Sequence, residues 1–182
     1  MASDWYEQVS GRAIEQGDIL ANCPVFFVKS SAFPEEIAVG TNFPVEYEVT
    51  TYEVVVMSQS CDLQEGQGRE KLQQVVLCPV QARSNLPDSH PLKRADALKA
   101  AAKGYQPSFF VLDRYEDPGQ PLDRDVSIVH FNQVYTLPIE FVRALAERRS
   151  PRLRLKSPYR EELSRRFGAF FGRIALDTQP RL

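Results

Sequence analysis

A chain of 182 residues with 43% apolar side chains can bury a real core in one domain with elaborations, which excludes a disordered chain. No apolar run approaches the roughly 18 residues of a spanning helix, and the start Met-Ala-Ser-Asp-Trp-Tyr-Glu-Gln lacks the basic and apolar regions of a secretory signal. A cytoplasmic protein with no membrane attachment is therefore expected. Cys23, Cys61 and Cys78 form no C-x-x-C pair, which argues against a disulfide framework and a structural zinc site. The net charge of −2 is unevenly spread: residues 143–182 carry eleven basic against four acidic groups, and the remainder is acidic. Such asymmetry marks either a surface for nucleic acid or an acidic partner, or a basic tail packed on an acidic body.

In chain order, residues 1–10 read as a short amphipathic helical entry anchored by Trp5, Tyr6 and Val9. Gln16-Gly17-Asp18 is a turn into a strand at Ile19-Leu20, which Pro24 to Val28 either continues or follows as a second strand. Residues 29–44 are loop-like, broken by Pro34, Gly40 and Pro44. Val45 to Val49 alternates as a half-buried strand does. Tyr52 to Met57 is the central strand, and its β-branched run Val54-Val55-Val56 predicts burial on both faces. It runs into the polar tip Ser58-Gln59-Ser60-Cys61-Asp62. A glycine-bearing excursion over residues 64–70 follows, then a strand from Leu72 to Val80 in which Cys78 is a small core residue. The two strands are expected to pair antiparallel through the tip.

Residues 84–91 are a loop, and Leu92 to Lys103 a helix stopped by Gly104. Strands at 108–112 and 126–131 resemble a hairpin with a long tip. A further short strand over 134–137 precedes Pro138, a favoured first helical residue, and a helix through Ile139, Phe141, Val142, Leu145 and Ala146. Arg152-Leu153-Arg154-Leu155-Lys156 alternates as an edge strand or an extended linker. Ser157 then caps a helix with Pro158 first and Glu161-Glu162 in its early turns. Tyr159, Leu163, Phe167, Phe170, Phe171 and Ile174 form one apolar stripe that must bury on this body or on a partner.

The chemistry that the tip suggests is a Cys61 nucleophile beside Asp62, with Ser58 at the strand end. A cysteine nucleophile needs a positive group or a base, which would have to be His90 or His130. The alternative is that Cys61 fills a turn and Asp62 caps backbone amides. Candidate phosphate or partner contacts are Arg69, Lys71, Arg114, Arg160, Arg165, Arg166 and Arg173, with Phe167 and Phe171 between them. Gly66-x-Gly68 is too short for a phosphate cradle. Neither a metal nor a cofactor is expected.

Three stretches together are similar to the PemK/MazF-like layout: Gly17-Asp18-Ile19, Val54 to Ser58, and Val75 to Val80. Val129 to Leu137 resembles that family's late strand. The resemblance covers about residues 16–146 and is interrupted by an insertion at 84–108. It implies a small Src-homology-3-like barrel within a mainly β, α+β fold, with an inserted helix and a helical C-terminus. The domain reading is a barrel over 1–146 and a basic helical extension over 147–182. The family's members cut single-stranded RNA without metal, yet Thr50-Thr51-Tyr52-Glu53 stands where the family has an Arg-Pro pair. The chain also resembles uncharacterised bacterial proteins with a Ser-Gln-Ser/Thr-Cys-Asp tip, a Phe-Phe strand and an arginine-rich C-terminal helix. The functional expectation is a non-enzymatic interaction module of a bacterial multi-protein system, in defence or regulation, with a protein partner. The alternatives are an RNA-binding or RNA-cleaving toxin-like protein and a cysteine hydrolase centred on Cys61.

Overall fold

The computed structural model describes residues 4–29, 46–64, 73–116 and 122–172. Its strands are β1 (Tyr6–Val9), β2 (Ile19–Val28), β3 (Tyr47–Val56), β4 (Gln74–Ala82), β5 (Phe109–Leu112), β6 (Ser127–His130), β7 (Tyr135–Pro138) and β8 (Arg152–Leu155). Its helices are α1 (Ser60–Leu63), α2 (Ala95–Ala102), α3 (Ile139–Arg148) and α4 (Tyr159–Phe171).

The central Val54-Val55-Val56 run is buried on both faces, as its composition requires. Val55 packs with Ile19, Cys78, Phe110, Phe131 and Leu155. Val54 and Val56 pack on the other face with Leu20, Leu77, Leu137, Val142 and Leu145. Two layers thus cover one sheet: β1, β8 and α4 lie over the first face and α3 over the second. A third cluster, Leu86, Leu92, Ala101 and Ile128, seats the insertion on β6.

The sheet is antiparallel, ordered β2-β3-β4-β6-β5, with β7 on β4, and it is not the closed barrel expected. The reason lies in β4. Val75 to Leu77 pair with β7 while Val80 to Ala82 pair with β6, so one strand serves two neighbours on the same side and the sheet does not curl onto β2. β2 and β5 are left as edges.

The expected N-terminal helix is a strand. Tyr6, Glu7, Gln8 and Val9 pair antiparallel with Leu155 to Arg152 in a separate two-stranded sheet. Four residues cannot sustain a helix against a ready strand partner. Trp5 stacks on Tyr159 at 4.0 Å, which brings α4 over this sheet. The alternating Arg152-Leu153-Arg154-Leu155 stretch is indeed a strand, but all four residues are buried. The strands expected over 45–49 and 52–57 are one among the described residues, β3 (Tyr47–Val56), whose outer half is exposed rather than half-buried, and Val45 lies outside the described residues. Pro138 precedes the first residue of α3 instead of being it, and Pro158, not Ser157, holds the residue before α4. The inserted helix ends where expected, with Gly104 at φ 86°.

Candidate functional site

The Ser58–Asp62 tip is drawn together by backbone demands. Met57 N donates to Val76 O at 2.8 Å as β3 leaves the ladder. Ser58 Oγ accepts from Val76 N at 2.9 Å, and Ser60 Oγ accepts from Gln16 N at 3.2 Å. Gln16 Nε2 donates to Met57 O at 2.8 Å. Both hydroxyls therefore satisfy amides that would otherwise be orphaned where three segments meet. Cys61 is exposed, its Sγ 3.5 Å from Asp62 Oδ1 and 3.8 Å from Gln59 Oε1. Both neighbours present oxygen, and neither is a histidine or a cation. Ser58, Cys61 and Asp62 thus share one turn, as expected. The histidines are engaged elsewhere: His90 and His130 lie with ring centroids 6.2 Å apart, each edge-on to Phe109. His90 Nδ1 accepts from Leu92 N at 3.2 Å. His130 Nε2 is buried without a hydrogen-bond partner, and burial, with His90 nearby, pushes its pKa down. Among the described residues no group of three or more His, Cys, Asp or Glu side chains is arranged to hold a metal.

The densest polar contacts surround Asp18, a residue that sequence reading places only in a turn. Asp18 is fully buried. Its carboxylate accepts from Arg152 Nε at 3.0 Å, from Arg154 Nη2 at 3.0 Å and from Arg154 Nε. Arg152 also donates to Gly11 O at 2.9 Å and to Ala13 O. Arg154 reaches Glu15 Oε1 at 2.6 Å, and Glu15 Oε2 lies 3.4 Å from Arg160. Gly17 at φ 86° permits this approach: a Cβ there would sit 3.0 Å from Leu155 Cβ. The signal in the sequence was Arg-x-Arg in an apolar, alternating strand, where two inward cations demand a buried anion.

A second pair, with Arg124 buried and Glu53 half-buried, joins β3 to the segment before β6. Arg124 Nη1 and Nη2 each donate to a Glu53 oxygen at 2.7 Å. Burial raises the Glu53 carboxyl pKa while Arg124 opposes the rise. The stretch Thr50-Thr51-Tyr52-Glu53 thus ends in an acid that is paired within the chain.

The basic residues singled out from the sequence are largely engaged within the chain. Arg114 pairs with Glu116 at 3.4 Å, and Arg160 with Glu161 at 3.1 Å. Arg165 and Arg166 clasp Glu162 at 2.7 and 2.6 Å, which holds its carboxyl near pKa 2. Arg166 also donates to the terminal carbonyls of α2, Ala101 O at 3.1 Å and Ala102 O at 2.9 Å, and lies over Phe110 at 5.3 Å. Phe167 packs edge-on to Phe131 at 5.4 Å; Phe171 is exposed. Arg69, Lys71 and Arg173 lie outside the described residues, as does Ile174 of the stripe. Arg148 and Arg149, at the end of α3, were not singled out. Both are exposed, and neither side chain has a hydrogen bond or ion pair among the described residues.

Among the described residues, exposed large apolar side chains cluster on the outer half of the β2–β3 hairpin. Phe26, Val28, Tyr47 and Val49 are 48%, 47%, 58% and 51% exposed. The register pairs Val28 with Tyr47 and Phe26 with Val49, so all four share one face. Phe27 on the other face lies edge-on to Tyr52 and Tyr135. Lys29 reaches Glu46 at 3.7 Å and Glu48 at 3.8 Å near the outer end. At the inner end β2 bulges between Leu20 and Cys23, and Asn22 has φ 52°. Beside the bulge is a cavity of about 400 Å³ lined by Pro24, Thr51, Phe141, Leu145, Arg148 and Arg149.

No protein-family model, no curated protein and no solved structure matched this chain. No helix among the described residues is long and apolar enough to cross a membrane.

Proposed function

We propose that this protein is a non-enzymatic interaction module, and that the outer β2–β3 hairpin is its binding surface. The observation that carries the reading is the co-facial exposure of Phe26, Val28, Tyr47 and Val49 on an edge hairpin. Such a surface is expensive to leave in water, and its edge strand β2 has no outer strand partner among the described residues. The setting of this reading is a bacterial multi-protein system, in defence or regulation, and the lack of a catalytic triad around Cys61 among the described residues and the apolar stripe of α4 support it. The PemK/MazF-like kinship belongs to this proposal as an ancestry for the sheet, with the activity not carried over. The cysteine hydrolase alternative has less support, because the contacts of Cys61 among the described residues are two oxygens, with no histidine or cation. The RNA-cleaving alternative has less support because Arg114, Arg160, Arg165 and Arg166 are spent on carboxylates and carbonyls of the same chain.

The test is an affinity capture from bacterial extract with the wild type and with Phe26→Ser/Tyr47→Ser. A binding partner retained by the wild type and lost by the variant supports the reading. Identical capture by both, with the variant folded by circular dichroism, overturns it.

A further inference from the structure

The partner of this hairpin can be narrowed, and the inference rests on the reading above. We propose that the hairpin binds a second copy of this chain through antiparallel pairing of β2 with its counterpart.

The first argument is the edge. Over Cys23 to Val28, β2 has β3 as its strand partner and no other among the described residues. Among the described residues no strand pairs with the outward backbone groups of that stretch. Pro24, which lacks a donor, sits where edge strands tolerate proline. Lys29 is a familiar guard against edge pairing, but it is turned onto Glu46 and Glu48 of its own hairpin. A twofold axis near Val25–Phe26 brings identical strands together antiparallel, which is the arrangement a closed dimer needs.

The second argument is charge. The hairpin's outer end carries Glu46 and Glu48, whose side chains are 78% and 70% exposed, against the single cation Lys29, so these three groups keep a net negative charge. The inner end of the same edge carries Arg148 and Arg149, exposed and without an ion pair among the described residues, beside the cavity at Pro24 and Thr51. Antiparallel pairing sets the outer end of each copy against the inner end of the other. Each acidic tip then meets an arginine pair, twice per dimer. Parallel pairing would oppose acid to acid and arginine to arginine. The apolar face of Phe26, Val28, Tyr47 and Val49 meets its symmetry mate near the axis. A surface that is complementary to itself under one operation, at both its apolar centre and its charged ends, favours a second copy over an unrelated chain.

The experiment is sedimentation velocity over a micromolar concentration series on the full chain. It compares the wild type, Glu46→Lys/Glu48→Lys, Arg148→Glu/Arg149→Glu, and an equimolar mixture of the two variants. The wild type is expected to dimerise with concentration. Each double variant alone opposes like charges at both ends, and its dimer is expected to weaken at least tenfold. The mixture has one junction with both charges reversed and one with neither, so a heterodimer of near wild-type affinity is expected. A wild type that stays monomeric throughout overturns the proposal, as does a dimer indifferent to both variants. If the wild type is monomeric but Phe26→Ser/Tyr47→Ser loses a captured partner, the self-pairing fails while the interaction-module reading stands. If that variant loses nothing either, both fail.

Discussion

Strand β2 starts in one kind of surface and ends in another. Just before Ile19, Asp18 is wholly enclosed, and its carboxylate serves two buried arginines from β8. Eight residues later Phe26 and Val28 stand in solvent with Tyr47 and Val49 beside them. The first region places polar groups inside and satisfies them; the second places apolar groups outside and leaves them uncovered. Buried charge is kept only when paired, so the Asp18 cluster is a structural lock whose loss should be felt in stability. Exposed apolar surface adds little to the monomer, so the hairpin should be felt in association.

The sharpest way to break this contrast is Asp18→Ala. It strands Arg152 and Arg154 in the interior, and breaking a buried pair by removing one partner costs about 3–5 kcal/mol. That is a large fraction of the roughly 5–15 kcal/mol that holds a domain together. The urea midpoint is expected to fall steeply or the chain to be unfolded in water. Arg165→Ala removes a pair whose arginine is exposed to solvent, and it should shift the midpoint far less in the same measurement. Equal losses would mean that the Asp18 cluster is no more structural than the surface.

Gly17→Ala comes next. A side chain at φ 86° costs about 1–2 kcal/mol, and its Cβ would press on Leu155 Cβ at 3.0 Å. Both effects act on the contact between the β2 entry and β8. The expected loss in urea midpoint is intermediate between those of Asp18→Ala and Arg165→Ala, and a neutral result would place the turn outside the lock.

A smaller effect is expected at His130. Its folded pKa is lowered, so the folded state takes up a proton less readily than the unfolded chain. Its contribution to stability is therefore present above the unfolded value near 6.5 and is lost as pH falls through the lower folded value. Protonation would place charge against His90 and Phe109, where the insertion meets β6. The urea midpoint should drop between about pH 7.5 and about pH 5.5, a window spanning the usual histidine value, and His130→Phe should flatten that drop. An unchanged slope would show that His130 is not the group responsible.

Much of this architecture was legible in the chain because apolar pattern reports burial. The Val54–Val56 run, the β3–β4 pairing, the β5–β6 hairpin, α2 with its Gly104 stop and α3 all follow from periodicity and punctuation. What periodicity could not show was partnership over long separations. Tyr6 to Val9 becomes a strand because residues about 145 positions later supply its ladder, and nothing local announces that. The open sheet depends on β4 being shared by β6 and β7, which neither strand's sequence encodes. The Asp18 cluster was missed for the same reason: its acid and its bases are separated by more than 130 residues. The Cys61 tip attracted notice by composition, and Arg148-Arg149 escaped it because arginines at a helix end are ordinarily read as dipole partners.

The smallest stability effect belongs to the tip itself. Cys61→Ser should leave the urea midpoint within about 0.5 kcal/mol, since Cys61 is exposed and its sulfur makes only weak contacts. Thiol labelling of the folded protein separates exposure from activation. Cys23 and Cys78 are buried, and burial pushes their thiols up to about 11 and about 12, so neither should react before unfolding. Cys61 should react, but with the oxygen of Asp62 3.5 Å from its sulfur it should react no faster at neutral pH than the same cysteine in the urea-unfolded chain. A rate well above that reference would mean that a positive group reaches Cys61 in solution, and would revive the nucleophile at the expense of the interaction reading.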